Sequence, residues 1–245
     1  MESENTEPEV EEEKSVDPEV IKRKVEGIAA EWGSLHDEDE AILSVSELPG
    51  PAEIESFLKA ALDKSMEKKE DHIEKTAKLF ARLFREGHAS SDMVKAVFSA
   101  YNSMLDDIAT DVPQIHRYVG RYLSELLIAG AIATVDLPTV FDAVMEVPNS
   151  RVKLLGETLG LIATHGDDAL LDVINQDKKF NYIDYFSAKK RSPADVQAWI
   201  AKYKLGALDP VQGQISKLET GLNSGESLDS WLSVRHLLFS RWLIV

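Results

Sequence analysis

The chain has 245 residues, 44% of them hydrophobic, and its 43 acidic against 27 basic side chains leave a net charge of −16. That length can bury one substantial core and leaves room for a tail or partial second unit, while the charge repels a phosphate backbone and argues against direct nucleic-acid binding. The absence of cysteine excludes disulfide and thiolate chemistry and fits a cytoplasmic location, and neither a signal peptide nor an apolar run of the roughly 18 residues a membrane span needs can be read in it.

Residues 1–19 hold nine carboxylates and one lysine. Residues 1–16 have almost nothing apolar to bury, so a disordered acidic tail is expected there. Asp17-Pro18 is a helix start, with Ile21, Val25, Ile28 and Ala29 as the apolar face and an end near Gly33. A second start follows at Asp37, and Pro49-Gly50-Pro51 breaks the chain before Ile54, Phe57, Leu58, Ala61 and Leu62 resume the helical period. The next helix carries Ile73, Ala77, Phe80, Ala81 and Phe84, with Leu79 and Leu83 widening the stripe until Gly87 stops it.

Ser90 or Ser91 caps a helix marked by Val94, Val97, Phe98, Tyr101, Leu105 and Ile108. It ends at an acidic elbow, Asp107 to Pro113, after which Ile115, Val119, Tyr122, Leu123, Leu126 and Ile128 recur at helical spacing. Leu137-Pro138 and Val147-Pro148 mark later boundaries. Gly156 and Gly160, four apart in an apolar run, predict close helix packing, and His165-Gly166-Asp167-Asp168 predicts a helix stop followed by an N-capping aspartate. Lys189-Lys190-Arg191 reads as a solvated basic loop. No run alternates polar and apolar residues over a strand length, so the expected fold is all-α, a HEAT-like stack of antiparallel helix hairpins. Residues 17–208 form the main domain in this reading, and residues 209–245, with Leu228, Trp231 and Trp242, are the partial start of a second helical domain or a docking tail.

Chemistry has little support. His36, His72, His88, His116, His165 and His236 are far apart in sequence, and none stands in an H-E-x-x-H arrangement, so no metal site is expected. No strand precedes the glycines at 156 and 160 to make a phosphate-binding loop, and no serine sits on a strand-to-helix elbow. The chain is expected to be no enzyme and to use no cofactor. The elbow carboxylates have a plain structural reading as well, since Asp111 could cap the helix that starts near Pro113.

The run D-I-A-T-D-V-P at 107–113, followed by an amphipathic helix and A-G-A-I at 129–132, resembles the MA-3 (MI) domain of the translation initiation factor 4 gamma family, a module shared with the programmed-cell-death translation inhibitor. The resemblance extends from about Val20 to Leu205 through D-E-D-E-A-I-L-S-V-S-E-L at 37–48, F-A-R-L-F-R-E-G-H-A-S at 80–90 and L-L-G-E-T-L-G-L-I-A at 154–163. It implies a non-catalytic scaffold or regulator of translation initiation that binds the initiation factor 4A DEAD-box RNA helicase and modulates mRNA unwinding. Through that helicase it would act on mRNA and the initiation complex only indirectly. The acidic residues that face the helicase in this family match Asp107, Asp111 and Asp63. The resemblance also leaves open an inhibitor of the same helicase, and a helical-repeat scaffold of an unrelated complex is the competing reading. Against the longer family members, the chain is expected to be a C-terminal portion or a short isoform.

Overall fold

The structure is a computed structural model that describes residues 18–144 and 148–208. The expected acidic tail, the Asp17 cap and the expected second unit from 209 onward therefore lie outside the described residues. Within them every regular element is helical. The helices are α1 (Pro18–Leu35), α2 (Glu38–Ser46), α3 (Pro51–Met66), α4 (Glu70–Arg85), α5 (Ser91–Asn102), α6 (Leu105–Asp111), α7 (Ile115–Ala129), α8 (Leu137–Val140), α9 (Pro148–Ala163), α10 (Asp167–Asn175) and α11 (Pro193–Tyr203), with short 3-10 turns between Thr134 and Leu208.

Local chemistry sets most of the boundaries. Asp37 accepts from the backbone N–H groups of Asp39 and Glu40, both at 3.1 Å, and so starts α2. Ser90 caps α5 through Met93 N–H at 3.3 Å, and Ser192 caps α11 through Asp195 N–H at 3.2 Å. Gly87 (φ 82°) ends α4 and Gly130 (φ 76°) ends α7, turning the next N–H groups back onto Leu83 and Leu126 carbonyls. Helix α1 runs past Gly33 to Leu35 and stops where His36 takes a left-handed φ of 55°.

The helices form the HEAT-like stack expected of the sequence. Helix α1 lies along α3, α3 meets α4 and α5, α4 lies along α7, α7 along α9, and α9 carries α10 and α11. Most of the predicted apolar stripes are buried, Phe57, Leu58, Ile73, Phe80, Phe98 and Leu123 among them. Tyr122 is the centre of this core, with ring centroids of Phe80 and Phe98 at 5.2 and 5.6 Å. Ser65 Oγ donates to Leu62 O at 2.7 Å, so its one hydrogen is used and Tyr122 O–H must donate to Ser65 Oγ at 2.5 Å. Burial pushes the Tyr122 phenol pKa far up, and the hydroxyl is a structural donor only.

Four sequence expectations need correction. The helix read from Ser91 through Ile108 is two helices, because the chain turns at Ser103-Met104, where the Ser103 hydroxyl bonds Ala100 O at 2.7 Å. The spacing of Tyr101, Leu105 and Ile108 survives that turn by coincidence of register. As a result, much of the expected elbow, Asp107 to Asp111, is itself helical as the second half of α6. Ile128 is 37% exposed and lies outside the core. Lastly, α10 is capped by Gly166 (φ 112°), with Asp167 its first helical residue rather than its cap.

The close packing expected of Gly156 and Gly160 is present, and α11 is the partner. A Cβ at Gly156 would overlap the Tyr203 ring at Cε2, and one at Gly160 would lie 3.0 Å from the Tyr203 carbonyl oxygen. Gly156→Ala is expected to destabilise the fold by about 1–3 kcal/mol through overpacking. Gly27→Ala, in α1 with nothing within 4 Å of where the added methyl group would stand, is expected to stabilise by up to about 1 kcal/mol. Phe80→Ala should cost about 3–5 kcal/mol. Urea denaturation of the three variants checks all of these, and a neutral Gly156→Ala would refute the α9–α11 contact.

Candidate partner-binding surface

Helix α6 is short, with Leu105 fully buried and Ile108 packed against the core. Seven residues would not hold a helix in water, so its orientation depends on what it is tied to. Asp106 points inward and accepts from the Ser150 hydroxyl in the first turn of α9. Because that hydroxyl has one hydrogen, His116 Nε2 must donate to Ser150 Oγ, at 3.1 Å, and His116 Nδ1 is then the bare nitrogen without a partner. Burial first, and then the Lys153 charge, hold the His116 pKa down to about 4, so the ring is neutral at pH 7, as this bond requires. Lys153 Nζ also donates to Pro113 O at 3.3 Å. Histidine, serine and aspartate meet here, but the serine donates to the carboxylate and receives from the imidazole, so nothing activates it as a nucleophile.

With Asp106 turned inward, Asp107 and Asp111 project from the exposed side of α6, one turn apart. Among the described residues neither has an ion-pair partner. Arg117, the nearest cation in sequence, is bound to Glu70 of α4 at 2.8 Å. The expectation that Asp111 caps the following helix is overturned: Asp111 is the last residue of α6, and α7 starts after Gln114 with no side-chain cap. A carboxylate there faces the partial negative charge of the helix C-terminus, and it repels Asp107 one turn back. The fold gains nothing from this placement of Asp111.

Asp63 occupies the exposed side of the last turn of α3. Partial desolvation first, and then Glu67 one turn on, raise the pKa of its carboxyl. Its charge in turn acts on Tyr101 in the last turn of α5, whose phenol is pushed up to about 12, mainly by burial. Asp107 and Asp111 thus share one helix edge, while Asp63 stands on the neighbouring helix end, beside the residues that lead through Ser103-Met104 into α6. Met104, 50% exposed, adds apolar surface at that corner, which sequence reading missed because its position in the helical stripe was ambiguous. The Asp106–Ser150–His116 link was also missed, since it joins residues 34 and 44 positions apart.

Among the described residues no three potential metal ligands cluster, and no helix is long and apolar enough to cross a membrane.

Residues 21–133 match the MA3 domain family. Over that stretch the chain is similar to an MA3 domain. The match runs from α1 to just past the Gly130 turn and holds Asp63, Asp107 and Asp111, whereas α9, on which the acidic corner is docked, lies beyond it. Similarity to longer proteins extends further. The chain is 27% identical over 167 residues to eukaryotic translation initiation factor 4G of Triticum aestivum, covering 64% of this chain and 11% of that protein. It is 26% identical over 150 residues to the factor 4G of Oryza sativa subsp. japonica, covering 58% and 8%, and 19% identical over 223 residues to eukaryotic translation initiation factor 4 gamma 1 of Mus musculus, covering 86% and 14%. The aligned part of this chain thus spans 8 to 14% of the length of these relatives.

Within the MA3-matched residues His36 and His72 join α1 to α4 with ring nitrogens in contact. Desolvation first lowers the pKa of both rings; Lys75 adds to this at His36, the facing His36 ring, Lys68 and Lys75 add to it at His72, and Asp71 opposes it at each. Together with His116, these histidines bind protons less readily folded than unfolded. Stability is therefore expected to be fully present above the unfolded pKa of 6.5 and to fall as pH drops below it toward the folded values. Thermal melts between about pH 7 and 5 should show a falling Tm, with a flatter slope in His36→Asn and His116→Gln. A slope unchanged in both variants would refute this assignment.

Proposed function

We propose that this chain is a non-catalytic scaffold or regulator of translation initiation, acting in the cytoplasm, and that its acidic corner binds the initiation factor 4A DEAD-box helicase. One observation carries the reading. Asp107 and Asp111 stand one turn apart on an exposed helix edge inside the MA3-matched residues, with no ion-pair partner among the described residues, and Asp111 sits at the helix end that disfavours a carboxylate. A basic protein surface would supply the missing charge, and Asp63 and the half-exposed Met104 would widen the contact. The likeness to factors named translation initiation factor 4G supports the same assignment. In this reading ATP is consumed by the helicase, mRNA is reached only through it, and residues 17–208 are the working unit.

Asp107→Ala with Asp111→Ala is expected to weaken helicase binding at least about tenfold, because truncating charges of a desolvated interface pair costs about 2–5 kcal/mol. The same double variant should melt close to the parent, since relief of the like-charge i,i+4 pair, roughly a few tenths of a kcal/mol, offsets much of what is lost with Asp107 from the first turn of α6. Calorimetric titration of the helicase and thermal melts are the two measurements, and ATPase rate in the presence of RNA gives the sign of the effect. Unchanged affinity, or a Tm lowered by more than about 5 °C, would refute the assigned role of this edge.

A further inference from the structure

The two halves of the described chain differ in charge. Residues 18–144 hold 23 acidic and 14 basic side chains, and residues 148–208 hold seven acidic and nine basic. In the first half most cations are neutralised internally, for example Arg82 by Glu38, Asp39 and Glu86, and Arg117 by Glu70. In the second half Lys179, Lys189, Lys190, Arg191, Lys202 and Lys204 form no ion pair among the described residues. Two of them, Lys190 and Lys202, line a groove of about 230 Å³ between the start of α9, the 186–190 turn and α11. Lys202 also donates to the Tyr203 hydroxyl at 3.0 Å, a neutral partner that leaves its charge uncompensated. The wall of the groove is apolar: Val152, Phe186, Ala198 and Trp199. Asp195 also lines it and keeps its charge, because its carboxylate accepts only from the neutral Ser192 hydroxyl, at 2.5 Å in the cap of α11, so the two lysines leave the lining with one positive charge in excess.

We propose that this groove binds an acidic peptide segment through one inserted aliphatic side chain, with Lys190 and Lys202 pairing its flanking carboxylates. The volume suits a single side chain of leucine size with part of its backbone, and the unpaired lysines on either side supply the complementary charge. The state of Trp199 decides between a peptide and RNA. The indole donates to Val152 O at 3.1 Å, stacks on Tyr182 at 5.8 Å and 12°, and meets Phe186 and Tyr203 edge-on. It is only 6% exposed, so no ring face is left for a base to stack on, and base stacking is what single-stranded recognition needs. What the wall does offer is smooth apolar contact to an aliphatic group. The Lys189-Lys190-Arg191 cluster, a solvated loop on sequence grounds, is ordered by Arg191, which donates to Phe186 O at 2.9 Å, and it thereby presents Lys190 at the rim.

The test is fluorescence anisotropy of the full chain with a fluorescein-labelled glutamate-rich peptide carrying one central leucine. Saturable binding is expected, weakened at least about tenfold by Lys190→Glu with Lys202→Glu and by Ala198→Asp in the wall, and unaffected by Asp107→Ala with Asp111→Ala. All of the changed side chains are exposed, and unchanged circular dichroism establishes that the variants fold. The peptide with serine in place of leucine should bind at least about fivefold more weakly, the loss expected of an apolar anchor. No saturable binding, equal affinity for the serine peptide, or indifference to the lysine changes would overturn the proposal. So would a uridine-rich RNA that binds through the same lysines in place of the peptide.

Discussion

The contact between α7 and α9 is the constraint on which the rest of the arrangement depends. Gly120 lets the two helices approach backbone to backbone, a Cβ there lying 3.0 Å from Glu157 Cβ and 3.1 Å from Thr158 N. Helix α7 also carries Tyr122 into the core against α4 and α5, so the same rod joins the first hairpins of the stack to the last. Only when α9 is this close can Ser150 stand between Asp106 and His116, and only then does α6 have a fixed face. The acidic edge is therefore positioned by residues outside the MA3-matched region, and a protein cut at Ala133 would keep the carboxylates while losing what aims them.

That dependence explains what could be read from the chain and what could not. Apolar stripes with capping residues at their ends are local signals, so Asp37, Ser90, Gly87 and the faces carrying Phe57, Phe80 and Leu123 were legible at once. The acidic elbow was legible as a feature but not as a helix: Tyr101, Leu105 and Ile108 keep a helical spacing across a real chain turn, and periodicity cannot report a turn that conserves register. Gly156 and Gly160 foretold a close approach, yet nothing local names Tyr203 as the side chain that fills it. The capping role read for Asp111 failed for a related reason, because a cap is defined by where the next helix begins, and α7 begins after Gln114.

Placement of charge separates the structural acids from the exposed ones. Asp37 and Asp136 each satisfy backbone N–H groups at a helix start, Asp136 accepting from Ala133 at 2.9 Å, where the helix field favours a carboxylate. Asp106 is spent on Ser150. Asp111 has no such partner and occupies the helix end that disfavours it, next to a like charge one turn away. The helix field thus gives no stability reason for a carboxylate at Asp111, whereas Asp107, in the first turn of the same helix, is favoured by it.

The two halves of the stack then carry complementary surfaces with different physics. At the acidic corner the carboxylates are free and the apolar contribution is one half-exposed methionine, so affinity there must lean on charge and weaken with salt. At the groove beside α11 the apolar wall is already built, its indole held by a carbonyl and by three neighbouring rings, and two lysines at its edge outnumber the single carboxylate, Asp195, and form no ion pair among the described residues. Rigid aromatic packing costs no ordering when a ligand arrives. A chain of this net charge would repel acidic segments almost everywhere else, so an acidic ligand that finds the groove is selected twice, by the local lysines and by repulsion from the remaining surface.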